Sequence, residues 1–192
     1  MRYPALLTLL ALVPAGAQPP RPAGAVTSPI AAASLDHPGI ARQTFTEMEK
    51  NFDLKLGSTG GAHPIDVLGL TRGVYLDDYG VVFTAEISLA QTPAPNPFRK
   101  EISAEQRTEI HRQKLENLPL LRKAMRDMVK TTAMTFGAAG VKMNILKPNS
   151  QVVLAVRLLY LPYEVTTGLP GQIIMKADLK GALNNDIKVE EQ

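Results

Sequence analysis

Nine consecutive residues, Val152-Val153-Leu154-Ala155-Val156-Arg157-Leu158-Leu159-Tyr160, carry a single charge among apolar and aromatic side chains. Three of them are valines, whose branching at Cβ favours extended backbone. A run of this kind suits a central strand covered on both faces, so a sheet is expected at the heart of the fold. Arg157 is the one charge in it. Were that guanidinium buried it would need a carboxylate partner, and Glu86 or Glu164 is expected to supply one in a structural ion pair.

Other segments supply the rest of the sheet. Leu68, Leu70, Val74 and Leu76 alternate with mostly polar positions, and Val81, Phe83, Ala85, Ile87 and Leu89 do the same after Asp77-Asp78-Tyr79-Gly80. Residues 67–89 therefore read as an antiparallel hairpin with one buried face, closed by a tight turn. A last strand is expected over Gln172–Leu179, where Ile173, Met175, Ala177 and Leu179 share a side. The polar residues after Asn184 are expected to fray.

Helical patterns separate these strands. Pro38 suits an opening turn, and Ala41, Phe45, Met48 and Phe52 then recur at helical spacing up to Gly57, with a glycine-rich loop beyond. The Pro-rich run Gln91–Pro97 leads away from the hairpin. Ser103 and Gln106 have the form of a capping box, opening a charged helix that Pro119 is expected to interrupt or restart. Beyond it Leu118, Leu121, Met125, Met128, Val129, Thr132 and Phe136 form an amphipathic stripe. A short segment, Val141–Leu146, and a turn over Lys147–Ser150 precede the central strand. The order predicts an α+β domain of two layers, a mainly antiparallel sheet of about four strands with helices packed on one face.

The first residues have another character. Arg2, the apolar stretch Ala5–Val13 and Ala15-Gly16-Ala17 have the charged, apolar and small-residue parts of a signal peptide cleaved after Ala17. The apolar part is shorter than the roughly 20 residues of a spanning helix, and no transmembrane segment is expected after cleavage. Residues 18–34, rich in Pro, Ala and Gly, read as a disordered leader, 35–183 as a single domain and 184–192 as a polar tail. The product is expected to be exported, periplasmic or extracellular. With no cysteine in the chain, its core must hold without the disulfides that such compartments permit.

Charge and composition narrow the partners. Lys and Arg number 21 against 18 Asp and Glu, a balance that offers no whole-molecule attraction to nucleic acid. Tryptophan is absent and aromatics are 5%, which weakens stacking on sugars or bases. Between Arg99 and Lys130 nine basic residues face five acids. Arg122, Lys123, Arg126 and Lys130 are candidates for contact with an anionic surface, against the plainer reading of a solvated helical face.

Catalytic signatures are scarce. Asp77 and Asp78, with Glu86 further on, form the densest acidic group and are candidates for ligand or metal binding, although aspartate is also ordinary turn chemistry. His37, His63 and His111 lie apart with no paired-histidine spacing. No G-x-S-x-G or S-x-x-K motif surrounds any serine, and no cofactor is expected. The expectation is an exported, non-catalytic binding or structural module of the cell envelope, whose partner is an envelope component or protein. Two alternatives stand beside it: a metal-dependent hydrolase using the Asp77-Asp78 turn, and an assembly subunit pairing through a sheet edge or face.

Overall fold

The computed structural model describes residues 42–91, 102–139, 146–147 and 149–192. The expected signal peptide and leader, the helix start near Pro38, Ala41, His37, most of the Pro-rich run and residues 141–145 lie outside the described residues.

The described chain runs α1 (Arg42–Gly57), β1 (Asp66–Leu76), β2 (Gly80–Ser88), α2 (Ala104–Ala139), β3 (Gln151–Leu158), β4 (Gln172–Asp178), α3 (Leu179–Leu183) and β5 (Lys188–Glu191). The strands form one sheet in the order β1-β2-β3-β4-β5. Three of its four pairings are antiparallel, while β2 and β3 run parallel. A parallel pair cannot be closed by a hairpin, and the long helix α2 makes the return. The fold is α+β, with the helices against the sheet.

Alternation divides each strand into two sides, and the helices pack on one of them. Val81, Phe83, Ala85 and Ile87 of β2 point one way, with Val152, Leu154, Val156 and Leu158 of β3 and Ile173, Met175 and Ala177 of β4, and all are buried. Against them α1 lays Phe45, Met48, Phe52 and Leu56, and α2 lays Leu121, Met125, Met128, Val129 and Phe136. Phe83 touches Phe52 edge-on, with ring centroids 4.8 Å apart, and Phe45 at 5.7 Å. Phe45 in turn meets Phe136. These offset and edge contacts suit the ring quadrupoles.

The boundaries follow local chemistry. Ser103 and Gln106 complete the reciprocal capping box, Gln106 N donating to Ser103 Oγ at 3.2 Å and Ser103 N to Gln106 Oε1 at 3.1 Å. The hairpin closes where Asp78 takes φ +55° and Gly80 φ +141°. A Cβ on Gly80 would stand 2.0 Å from Gln151 O, so only glycine lets β3 start beside the turn.

Four expectations need correction. Pro119 neither breaks nor restarts its helix, for α2 runs unbroken through it. The seam of Leu118, Leu121 and Met125 docks the helix on both sides of the proline, and tertiary packing outweighs the missing N–H. The residues after Asn184 do not fray. Asp178 caps α3, Asn185 at φ +63° helps to reverse the chain, and β5 adds a fifth strand against β4. The central strand is covered by helices on one side only, so Arg157 is exposed and meets Glu86 at 3.5 Å. Finally, the apolar residues of β1 are not its packed face, which bears directly on the site below.

A candidate binding face on the open side of the sheet

In β1 the small and polar positions turn inward. Thr71 and Gly73 are buried, whereas Leu68, Leu70, Val74 and Leu76 are 48%, 65%, 50% and 46% exposed. The reason lies in the neighbouring rings. A Cβ on Gly73 would stand 2.5 Å from Phe83 and 2.6 Å from Phe45, so the space a side chain would fill is already taken. Helix α1 also reaches over the outer edge of β1. Asp53 Oδ1 accepts from Thr71 N at 2.8 Å and from Thr71 Oγ1 at 2.6 Å, and Glu49 Oε1 accepts from Gly73 N at 2.8 Å. Arg42 holds both oxygens of Glu49 at 3.0 Å and donates to Gly73 O. Free strand-edge groups are thereby occupied by a helix.

The register lays out the open side in rows. Val74 pairs with Val82, Val82 with Val153 and Val153 with Lys176, a row in which Val74 is exposed, Val82 half-buried and Val153 buried. Arg72, Thr84, Ala155 and Ile174 form the next row, and Glu86, Arg157 and Gln172 the one beyond. Two register shifts in β1, either side of Gly69, mark bulges that bend it there. At that bend lies a half-open basin of about 390 Å³, floored by Gly69, Thr84 and Ala155 and rimmed by Leu70, Arg72, Glu86, Arg157 and Gln172. Among the described residues the Arg157 side chain meets only Glu86, at a separation too long for a strong charge-assisted hydrogen bond. The Arg72 side chain makes no hydrogen bond or ion pair among the described residues. Two guanidiniums and one carboxylate leave the rim net positive.

The acidic candidates do not converge. Asp77 and Asp78 occupy the hairpin turn, whereas Glu86 lies six residues along β2, about 20 Å away at strand rise. Asp77 Oδ1 accepts from Asp78 N, and Asp78 binds Lys147 Nζ at 2.7 Å, which raises the Lys147 pKa. Among the described residues no group of three or more His, Cys, Asp or Glu side chains is placed to hold a metal ion. The basic candidates share one side of α2, with Lys123 and Arg126 exposed. Arg122 grips Glu191 of β5 at 2.6 and 2.7 Å, holding that carboxyl below its usual range. His111 Nδ1 lies 2.9 Å from Val165 O and His63 O accepts from Asn117, so both belong to loop anchoring.

Sequence reasoning missed a buried polar seam on the first half of α2. Lys114, counted there as part of a charged face, has a fully buried side chain and binds Glu164 Oε2 at 2.6 Å, with Nζ 4.8 Å from the Tyr160 ring centroid. Burial and Glu164 push the Tyr160 hydroxyl up to about 12, and it donates to Pro170 O at 2.7 Å. Asn117 bridges His63 O and Leu89 O, both at 2.7 Å. The signal was in the spacing: Ile110, Lys114, Asn117 and Leu121 continue the apolar stripe toward the N-terminus. Here the helix faces loops whose carbonyls and Glu164 need donors, so the seam turns polar. A second cleft of about 290 Å³ lies between α1 and α2, where Met48, Phe52 and Met128 meet Glu47, Lys55 and Asp127.

Fold and face together define an α+β domain with its helices on one side of a five-stranded sheet and a part-apolar, part-cationic surface on the other. Comparison with protein-family models, with curated proteins and with solved structures finds no match to this chain.

Proposed function

We propose that the chain is an exported, non-catalytic binding module of the cell envelope that engages its partner through the open side of its sheet. The observation that carries this reading is the inversion of β1, in which Leu68, Leu70, Val74 and Leu76 are exposed on an edge strand while Thr71 and Gly73 face the core. Apolar side chains kept on a surface cost solubility, and a contiguous exposed group of them is the ordinary mark of an interaction site. The face is favoured over the edges. Asp53 and Glu49 cover the N–H groups of Thr71 and Gly73 in the middle of β1, and β5 at the other margin is four residues long with Lys188, Glu190 and Glu191, both devices that discourage strand addition.

The test is photo-crosslinking in the cells that make the protein, with p-benzoylphenylalanine replacing Leu70 or Thr84 on the face, or Lys123 on the outer side of α2. A defined adduct from the first two positions and none from the third is expected. An adduct from position 123 alone would move the interface to the basic helical side. Fractionation and N-terminal sequencing of the same material check export, with Gln18 expected as the first residue of the mature chain.

A further inference from the structure

Resting on that reading, we propose that the basin between Gly69 and Gln172 binds the carboxylate of a long-chain amphiphile, whose apolar tail lies along Val74 and Val82.

Charge complementarity selects the head group. Arg72 is without a partner among the described residues, and Arg157 is 66% exposed and holds Glu86 loosely. A guanidinium presents its donors in a fixed fork that matches the two oxygens of a carboxylate, so a ligand carboxylate can take the donors these two arginines leave open. Glu86 leaves a net of one positive charge at the rim, which favours a singly charged head over a multiply charged one.

The floor selects the body. Gly69, Thr84 and Ala155 are small residues on three adjacent strands, and together they let a ligand approach the sheet closely. The basin's volume of about 390 Å³ falls within the range of small-ligand sites, roughly 300–1,000 Å³. Beyond it Val74 and Val82 offer side chains only, because the backbone groups of an interior sheet are already paired. An extended peptide laid there would gain no main-chain hydrogen bonds, and at the nearby β1 edge the N–H groups of Thr71 and Gly73 are already taken by Asp53 and Glu49. An alkyl chain has no such groups to satisfy, and burying each methylene contributes about 0.8 kcal/mol.

Calorimetric titration of the purified protein with dodecanoate, below its micelle concentration, tests this beside dodecanol and butanoate. Dodecanoate is expected to bind, with dodecanol and butanoate each weaker by about tenfold or more. The Arg72→Gln and Arg157→Gln variants, both at exposed positions, are expected to keep the wild-type melting temperature and to lose about tenfold in dodecanoate affinity. Val74→Ser, on the row that receives the tail, is expected to weaken dodecanoate while leaving butanoate unchanged. Equal binding of dodecanol and dodecanoate, or dodecanoate binding unaffected by both arginine variants, overturns the proposal. No binding by the wild type overturns it too, and if the crosslinks at positions 70 and 84 persist, the binding-face reading survives and only the ligand class falls.

Discussion

A single missing side chain orients the whole edge of the sheet. Gly73 lies against Phe45 and Phe83, and those rings are themselves held by Phe52 and Phe136, so they have little room to withdraw. Gly73→Ala is expected to destabilise the protein by about 1–3 kcal/mol, since overpacking a filled core forces side chains off their rotamers. Urea denaturation measures it, and an unchanged midpoint would mean the rings give way freely. Lys114 shows the opposite residue-scale logic. Its charge is tolerated in the interior because Glu164 and the Tyr160 face receive it, and a lysine there without them would carry a penalty of several kcal/mol. Gly73 was not singled out in the sequence, and Lys114 looked like any other member of a charged helix, because neither carries a local mark of what packs beside it.

Among the elements, α2 holds the parts together. Its first half anchors the loops through Lys114 and Asn117, its second half covers the sheet, and Arg122 reaches β5. Pro119 sits between these halves, exposed and without an N–H to give to Leu115 O. Pro119→Ala is expected to raise stability by about 1–3 kcal/mol, read as a higher denaturation midpoint, because the interior proline opposes the helix that its neighbours impose. A fall on substitution would show that the proline shapes a bend the seam requires. Caps were legible in advance, as the Ser103–Gln106 pair shows, since capping is chemistry between residues three apart.

At the scale of the molecule, the two margins of the sheet are guarded by different means, α1 over β1 and the short charged β5 beside β4. Deleting residues 187–192 exposes the backbone of β4 over Ile173–Lys176 and removes the partner of Arg122. Concentration-dependent self-association by light scattering is the expected outcome. A truncated chain that stays monomeric would show that β5 closes no edge.

What the sequence determined by itself was everything written in short-range period: strands expected over residues 67–89, 152–160 and 172–179, the start of α2 at its capping box, its apolar stripe, and the two-layer α+β class. Local alternation and helical spacing record these directly. The candidate binding face was legible only in pieces, with Glu86 and Arg157 named and Arg72 passed over. Tertiary structure alone decided the rest: that β2 and β3 lie parallel, that a polar C-terminal segment finds a partner in β4, and that the apolar side of β1 faces out. Alternation marks two sides of a strand without saying which one is packed. That choice was made by the phenylalanine rings beside Gly73 and by two carboxylates of α1, groups about 10 to 30 residues distant along the chain.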